Sequence, residues 1–332
     1  MRHSGVWILA EQRKGYVQRV SFELLRRGRE LADKSGQNLS AMIFGNNIDQ
    51  NGLEELILRG ADKVVCVEAP ELEDFLVETY SECMMDVVEK YKPDIIIAAA
   101  TTTGRTLMPY VAIKANTGLT ADCTELDIEA DTGNLLQTRP AIGGNIMATI
   151  KTPDHRPQMA TVRPRSTREA DLQEGRTGEI LRVKASCDLL KSRISNVGFK
   201  VNEDSVSISE AETVVCVGRG IKRAENLPMI YELAELLGAA VGATRDVVDR
   251  GWLSYPHQIG LSGQTVSPKL YIGIGLSGTI QHIAGMQTAE NIIAINSDPE
   301  AQIFKLANMG IVGDLFEVVP MMIDRIRQGE KI

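Results

Sequence analysis

The residues best suited to chemistry lie close together in residues 271–286, YIGIGLSGTIQHIAGM. Gly273, Gly275 and Gly278 stand there in the spacing GxGxxG. An apolar run leads in and a helix-like segment follows. In that arrangement glycines let backbone N–H groups approach an anion, and a helix N-terminus adds partial positive charge. Gln281 and His282 fall in the first helical turn, where a plain phosphate cradle needs neither. Further glycines and cations stand at Gly218-Arg219-Gly220, at Gly242-Ala243-Thr244-Arg245 and in the loop DRGWLSYPHQIGLSGQT, followed by Asn296-Ser297-Asp298.

Three readings of these residues compete. A dinucleotide site would use the glycines together with an acid about 20 residues on, here Asp298. That acid directly precedes Pro299-Glu300, the pattern of a helix N-cap, and the glycines are not on the first strand of their domain. A purely structural reading makes the glycines tight turns and His282 a satisfied core residue. A flavin site would use the glycine turns for the diphosphate. It would place a cation or donor, from His282, Arg245 and Arg219, at the N1–C2=O edge, where negative charge gathers on reduction. Ser262 and Thr265 offer hydroxyls for the N5 edge.

The elements that must position these residues form two domains, 1–203 and 204–332, in a chain of 332 residues. Residues 6–10, 39–44, 63–67 and 94–100 read as strands, the continuous runs in 63–67 and 94–100 as buried on both faces, with helices over 17–34, 53–58, 72–91 and 105–115 between them. That is an α/β domain built on a parallel sheet. From Thr120 onward TADCTELDIEA, LLQTRPAIGGNIMATIK, PQMATVRP and EILRVKA read as strands without helices, hence an antiparallel appendage. The polar segment 164–178 reads as a solvated loop. The second domain starts near Ser205 with the strand TVVCVGRG. The helix ENLPMIYELAELLG follows, capped by Asn226, with Leu227, Ile230, Tyr231 and Ala234 on one face and Gly238 at its end. Then come the strand KLYIGIG, a helix from Gly278, the strand NIIAIN, a helix opened by Asp298-Pro299 and an amphipathic helix over 318–327. This is a doubly wound domain, with 201–209 as a polar connection suited to a hinge.

Composition removes several function classes. The net charge of -8 and 5% aromatic content argue against nucleic acid and anionic membranes. No apolar run approaches the roughly 18–20 residues of a membrane span, so no membrane insertion is expected. A strand-like VWILAEQ within the first residues leaves no room for a targeting peptide, and a bacterial or archaeal cytoplasm is expected. The five cysteines, with no CxxC, read as reduced core thiols, and the scattered histidines predict no metal site.

The strings ENLPMIYELAELLGAAVGATRDVVDRGW, GLSGTIQHIAGM and AINSDPEAQIFKLANMGIVGDLFEVVP resemble the alpha subunit of electron-transfer flavoproteins. In the first domain TGLTADCTELDIE and TRPAIGGNIMATI carry the same likeness, so it covers nearly the whole chain. The resemblance implies an N-terminal α/β domain contacting a beta subunit and a C-terminal flavodoxin-like domain holding FAD. Residue by residue, it implies FAD contacts from Arg219, from Thr244 where the family has serine, and from Arg245 over the isoalloxazine. It adds Ile259, Gly260, Leu261 and Ser262, then Ser277, Gly278, Thr279, Ile280, Gln281 and His282, with His282 at the flavin O2 edge. Asn296, Asp314 and Leu315 match contacts near the adenosine end. One departure stands out. Where the family reads GQTGK, the gapless register has Gly260-Leu261-Ser262-Gly263-Gln264, so Ser262 replaces a threonine near N5. A shifted register would use Gly263-Gln264-Thr265.

The resemblance implies an electron carrier, partnered by a flavin dehydrogenase of the acyl-CoA dehydrogenase class. A sharper expectation is NADH-driven electron bifurcation to ferredoxin or flavodoxin. The chain shows no nucleophile, general base or metal constellation of its own, which fits a carrier. The alternatives are an NAD-dependent oxidoreductase using the GxGxxG turn, and a regulatory module binding AMP or ATP.

Overall fold

The computed structural model describes residues 3–141, 146–198, 208 and 211–329. Two compact units divide the chain, Met1–Phe199 and Lys200–Ile332. The first runs β1 (Val6–Ala10), β2 (Gln12–Arg13), β3 (Tyr16–Val17), α1 (Val20–Ser35), β4 (Leu39–Gly45), α2 (Gln50–Leu58), β5 (Lys63–Glu68) and α3 (Val77–Tyr91). It continues with β6 (Ile95–Ala99), α4 (Thr102–Lys114), β7 (Leu119–Cys123), β8 (Glu125–Ile128), β9 (Leu135–Pro140), β10 (Met147–Ile150), β11 (Gln158–Val162) and β12 (Glu179–Lys184).

Seven of these strands form one sheet in the order β12-β5-β4-β1-β6-β11-β7, every neighbouring pair parallel. β1, β4 and β6 are buried along their whole length, as strands covered on both faces must be. Phe22, Leu25 and Leu31 of α1 and Leu53 and Leu56 of α2 pack on one face. Met84 and Val87 of α3 and Leu107 and Val111 of α4 pack on the other.

The antiparallel appendage is smaller than the sequence predicts. Only β8, β9 and β10 are antiparallel, whereas β7, β11 and β12 join the main sheet. All five residues of β11 are buried, because it lies between β6 and β7 under helices. Part of the expected strand through IGGN, residues 142–145, lies outside the described residues. The 164–178 loop is also not simply solvated. Ala170 is buried, its N–H donates to Phe22 O at 3.0 Å, and Arg176 Nη2 meets Asp62 Oδ1 at 2.6 Å.

Just past β1, Thr101 Oγ1 lies 2.5 Å from the Glu11 carboxylate and also caps α4 through Gly104 N. Burial outweighs the Thr101 hydrogen bond and pushes the Glu11 pKa up to about 7 from 4.5. Between those values the folded chain binds more protons than the unfolded one, so stability falls as pH rises through that window. Glu11→Gln is therefore expected to stabilise the protein at pH 8 by up to ~3 kcal/mol relative to its effect at pH 4.5. Urea unfolding of both proteins at the two pH values checks this, and an identical difference at both would refute it.

The second unit contains β13 (Thr213–Val217), α5 (Leu227–Leu236), β14 (Ala240–Ala243), α6 (Arg245–Asp249), β15 (Leu270–Ile274), α7 (Ile280–Ile283), β16 (Asn291–Asn296), β17 (Met309–Val312) and α8 (Leu315–Arg327). Its five strands are parallel in the order β14-β13-β15-β16-β17. Several local expectations change. Asn226 does not cap α5 with its side chain, which donates to Ile221 O at 2.8 Å instead. Tyr231 is exposed, and Leu233 takes its expected place beside Leu227, Ile230 and Ala234. Asp298 opens no α-helix. Its Oδ1 accepts from Glu300 N at 2.9 Å in a tight turn, and a short 3-10 segment, Gln302–Lys305, follows. The helix expected from Gly278 is the four-residue α7. The expected hinge at 201–209 lies outside the described residues except for Ile208.

Cys66, Cys83, Cys123 and Cys216 are buried, while Cys187 is exposed rather than a core thiol. Among the described residues no helix is long and apolar enough to cross a membrane.

Candidate functional site

The strand order of the second unit reverses direction between β13 and β15: β14 follows β13 on one side, β15 lies on the other. Loops leaving the carboxyl ends of parallel strands at such a reversal form a crevice suited to ligands. The loops after β13 and β15 interlock there. Gly218 N donates to Ile274 O at 2.8 Å and Gly220 N to Gly275 O at 2.9 Å. A Cβ on Gly220 would come within 2.7 Å of Gly275 Cα. Gly278, at φ +75°, packs against the backbone of Ile303. Gly273 lies under the Tyr271 ring and Leu276. The GxGxxG glycines thus serve backbone packing. They lie on and just after the third strand of their unit, α7 is a single turn, and Asp298 is occupied in its own turn. The parts of an NAD fingerprint are accounted for otherwise.

Polar groups gather on the rim of this end. Arg219 and Arg245 are exposed, and their partners Asp246 and Asp249 stand at 3.3 and 3.2 Å. Exposed pairs of this kind are weak, so both guanidinium groups can turn to an anion at little cost. Thr244 stands between β14 and α6, its N–H on Val217 O. The next loop is tied down at four points. Ile259 N donates to Ala243 O, Gly260 N to Gln264 O, Leu261 N to Gln281 O at 2.7 Å, and Gln258 Nε2 to Ser262 Oγ at 3.0 Å. Because Ser262 Oγ accepts from Gln258, its own O–H is directed by that bond and can donate outward. Ser262, Ser277, Thr279, Ile280 and Gln281 are exposed, whereas Gly278 is buried.

Other expected site residues turn inward. Ile259 is buried. Asn296 uses both ends of its amide on the loop, donating to Leu276 O and accepting from Asp298 N. Asp314 caps α8 through Phe316 N, and Leu315 packs into the core. His282 is only 5% exposed. Its Nε2 meets the Tyr271 hydroxyl at 2.7 Å and its Nδ1 meets Ile259 O at 3.1 Å. Burial outweighs the Ile259 hydrogen bond and lowers its pKa from 6.5 to about 4. Of the two roles expected of His282, cation or donor, burial in the cofactor-free chain disfavours the cation. Tyr271, Cys216, Gln258, Asp246 and Asp249 were not singled out by sequence, although Tyr271 stands two residues before Gly273 on the same strand.

The comparisons with known proteins agree with this arrangement. The family model for the electron transfer flavoprotein domain matches residues 6–187, and that for the electron transfer flavoprotein FAD-binding domain matches 207–287. The electron transfer flavoprotein subunit alpha of Thermoanaerobacterium thermosaccharolyticum is 45% identical over 98% of both chains. The chain belongs to the electron transfer flavoprotein alpha subunit family. It is 43% identical to the lactate dehydrogenase (NAD(+),ferredoxin) subunit LctC of Acetobacterium woodii, over 99% of this chain and 78% of that one. It is 40% identical to the acryloyl-CoA reductase electron transfer subunit beta of Anaerotignum propionicum, over 98% and 96%.

FAD is the cofactor of this family's second domain, and the side chains on the rim fit it. FAD carries a diphosphate and a ring that gains negative charge when reduced. Arg219 and Arg245 offer two mobile cations, and Thr244, Ser262, Ser277 and Thr279 offer hydroxyl donors.

Proposed function

We propose that this chain is the FAD-holding half of a heterodimer with an electron-transfer-flavoprotein beta subunit. It carries electrons between a flavin dehydrogenase of the acyl-CoA dehydrogenase class and other carriers. The observation that carries this reading is the exposed pair Arg219 and Arg245 beside the hydroxyl-lined loops at the strand reversal. Bound FAD supplies chemistry in single-electron and two-electron steps. Around it, Arg219 and Arg245 hold negative charge, Ser262 donates from a fixed position, and neutral His282 fixes the loop beside it.

The finer reading is electron bifurcation. NADH gives its electron pair to a second FAD in the beta subunit. One electron then passes to the FAD of this chain and the other to a low-potential ferredoxin or flavodoxin, leaving NAD+. Relatives named as subunits of a ferredoxin-linked lactate dehydrogenase and of an acryloyl-CoA reductase support it.

The test is a visible spectrum of the purified heterodimer, identification of the released cofactors by mass, and titration with NADH. Two FAD per heterodimer, reducible by NADH, is the expected result. One FAD with one AMP released would leave a simple carrier. A colourless protein that takes up NAD and not FAD would overturn the proposal.

A further inference from the structure

Between β13, β15 and α7 lies a buried chain of polar side chains. Cys216 and Tyr271 are fully buried in the apolar layer of the unit. The β13–β15 register sets Val214 opposite Tyr271 and Cys216 opposite Gly273, so the thiol and the phenol share a face as diagonal neighbours. The absent side chain at Gly273 leaves room for the phenol ring. Tyr271 OH reaches His282 Nε2 at 2.7 Å, and Cys216 Sγ lies 4.0 Å from the same nitrogen. His282 Nδ1 closes the chain on Ile259 O at 3.1 Å.

Chemistry gives this chain one direction. A carbonyl oxygen only accepts, so Nδ1 carries the imidazole proton. Nε2 is then bare and accepts from the Tyr271 O–H. The Cys216 S–H, 4.0 Å from the same nitrogen, is a second and weaker donor to it. Each donor is matched and the tautomer is set from both ends.

The chain also ties together the two loops that carry site residues. Ile259, whose carbonyl it grips, opens the loop with Leu261 and Ser262, and Leu261 N donates to Gln281 O at 2.7 Å. The two segments touch backbone to backbone, since a Cβ on Gly285 would lie 2.4 Å from Gly260 N. Packing brings the loops together, and His282 is the side-chain pin that sets their offset. A ring with the opposite tautomer would turn a lone pair on the Ile259 carbonyl and push them apart.

We infer that Tyr271 and Cys216 are positioning residues for the cofactor site: through His282 they hold the loop of Ile259 and Ser262 in register with the turn of Ser277 and Gln281. This rests on the FAD reading above, but the chain itself is a property of the protein without cofactor.

The experiment compares parent, Tyr271→Phe, Cys216→Ala and Cys216→Ser heterodimers with the cofactor removed and restored. In the cofactor-free state, nitrogen NMR of histidine is expected to show His282 solely with the proton on Nδ1. Tyr271→Phe mixes the tautomers and speeds exchange of the Leu261 amide at least about tenfold, while β16 amides exchange at the parental rate. FAD dissociation constants rise by about tenfold in Tyr271→Phe and shift in reduction potential accompanies this. Cys216→Ala gives a smaller change in the same direction, and Cys216→Ser, which keeps a donor, restores the parental tautomer. Uniformly faster exchange in both β16 and Leu261 would mean a merely structural role and overturn the inference. So would an unchanged tautomer and Leu261 amide in Tyr271→Phe. If the parent tautomer is as stated but the heterodimer takes up no FAD, the function fails and the chain stands.

Discussion

Replacing Gly278 by alanine is expected to destabilise the second unit by more than about 3 kcal/mol and to abolish FAD retention. Gly278 holds φ +75°, a conformation that costs an L-residue about 1–2 kcal/mol. Strain alone is the smaller part. A Cβ there would lie 2.4 Å from Ile303 N and 2.7 Å from Ile303 Cα. Both are backbone atoms, and Ile303 N donates to Ser277 O at 3.1 Å. The new methyl must therefore break that bond and lift the turn carrying Ser277, Thr279 and Gln281 off the 3-10 segment beneath it. Gly238 supplies the control in the same unit. It holds φ +59° at the end of α5, but no atom stands within 4 Å of its added Cβ. Gly238→Ala is expected to cost only about 1 kcal/mol and to leave FAD bound. Urea unfolding and the flavin absorbance after gel filtration measure both effects. Parental stability and full colour in Gly278→Ala would show that the turn tolerates displacement and that the packing account is wrong.

The second large effect is an acid transition set by His282. The unfolded imidazole takes up a proton near 6.5, while the folded one does so only near 4. Between these values the unfolded chain holds more protons, so stability is intact above pH 6.5 and is lost as pH falls towards 4. The shift corresponds to roughly 3 kcal/mol across the window. The titratable groups in contact with the ring do not compensate. Burial raises the Cys216 thiol to about 12 and the Tyr271 phenol well above its usual value, so both stay neutral. His282→Gln, which cannot titrate, is expected to lose stability at pH 7, where the parent keeps its hydrogen bonds, and to close much of that gap by pH 4. The measured quantity is the difference between parent and variant in urea unfolding at the two pH values. A difference independent of pH would show that His282 is not the group that titrates. Glu11 acts in the opposite sense between pH 4.5 and 7. The variant difference cancels its contribution.

Residue type and short spacing determined the local conformations and the chemistry on offer. The continuous apolar runs of β5 and β6 marked strands buried on both faces, and the glycines after β13 and β15 marked the turns. The strings around Ser277 and Asp298 pointed to the family that the comparisons show. These follow from sterics and burial within a few residues, which a linear pattern records. Pairing does not. QMATV read correctly as a strand, yet only the fold placed it between β6 and β7 rather than in an antiparallel extension. Its register is decided by partners that lie far away in the chain. The same holds at the site. Sequence offered His282 as a cation or donor beside a ligand. Contacts with Tyr271, Ile259 and Cys216, 11, 23 and 66 residues away, made it a neutral pin instead. Solvation and the choice of tautomer depend on what surrounds a ring in three dimensions, and only the tertiary structure brings those neighbours together.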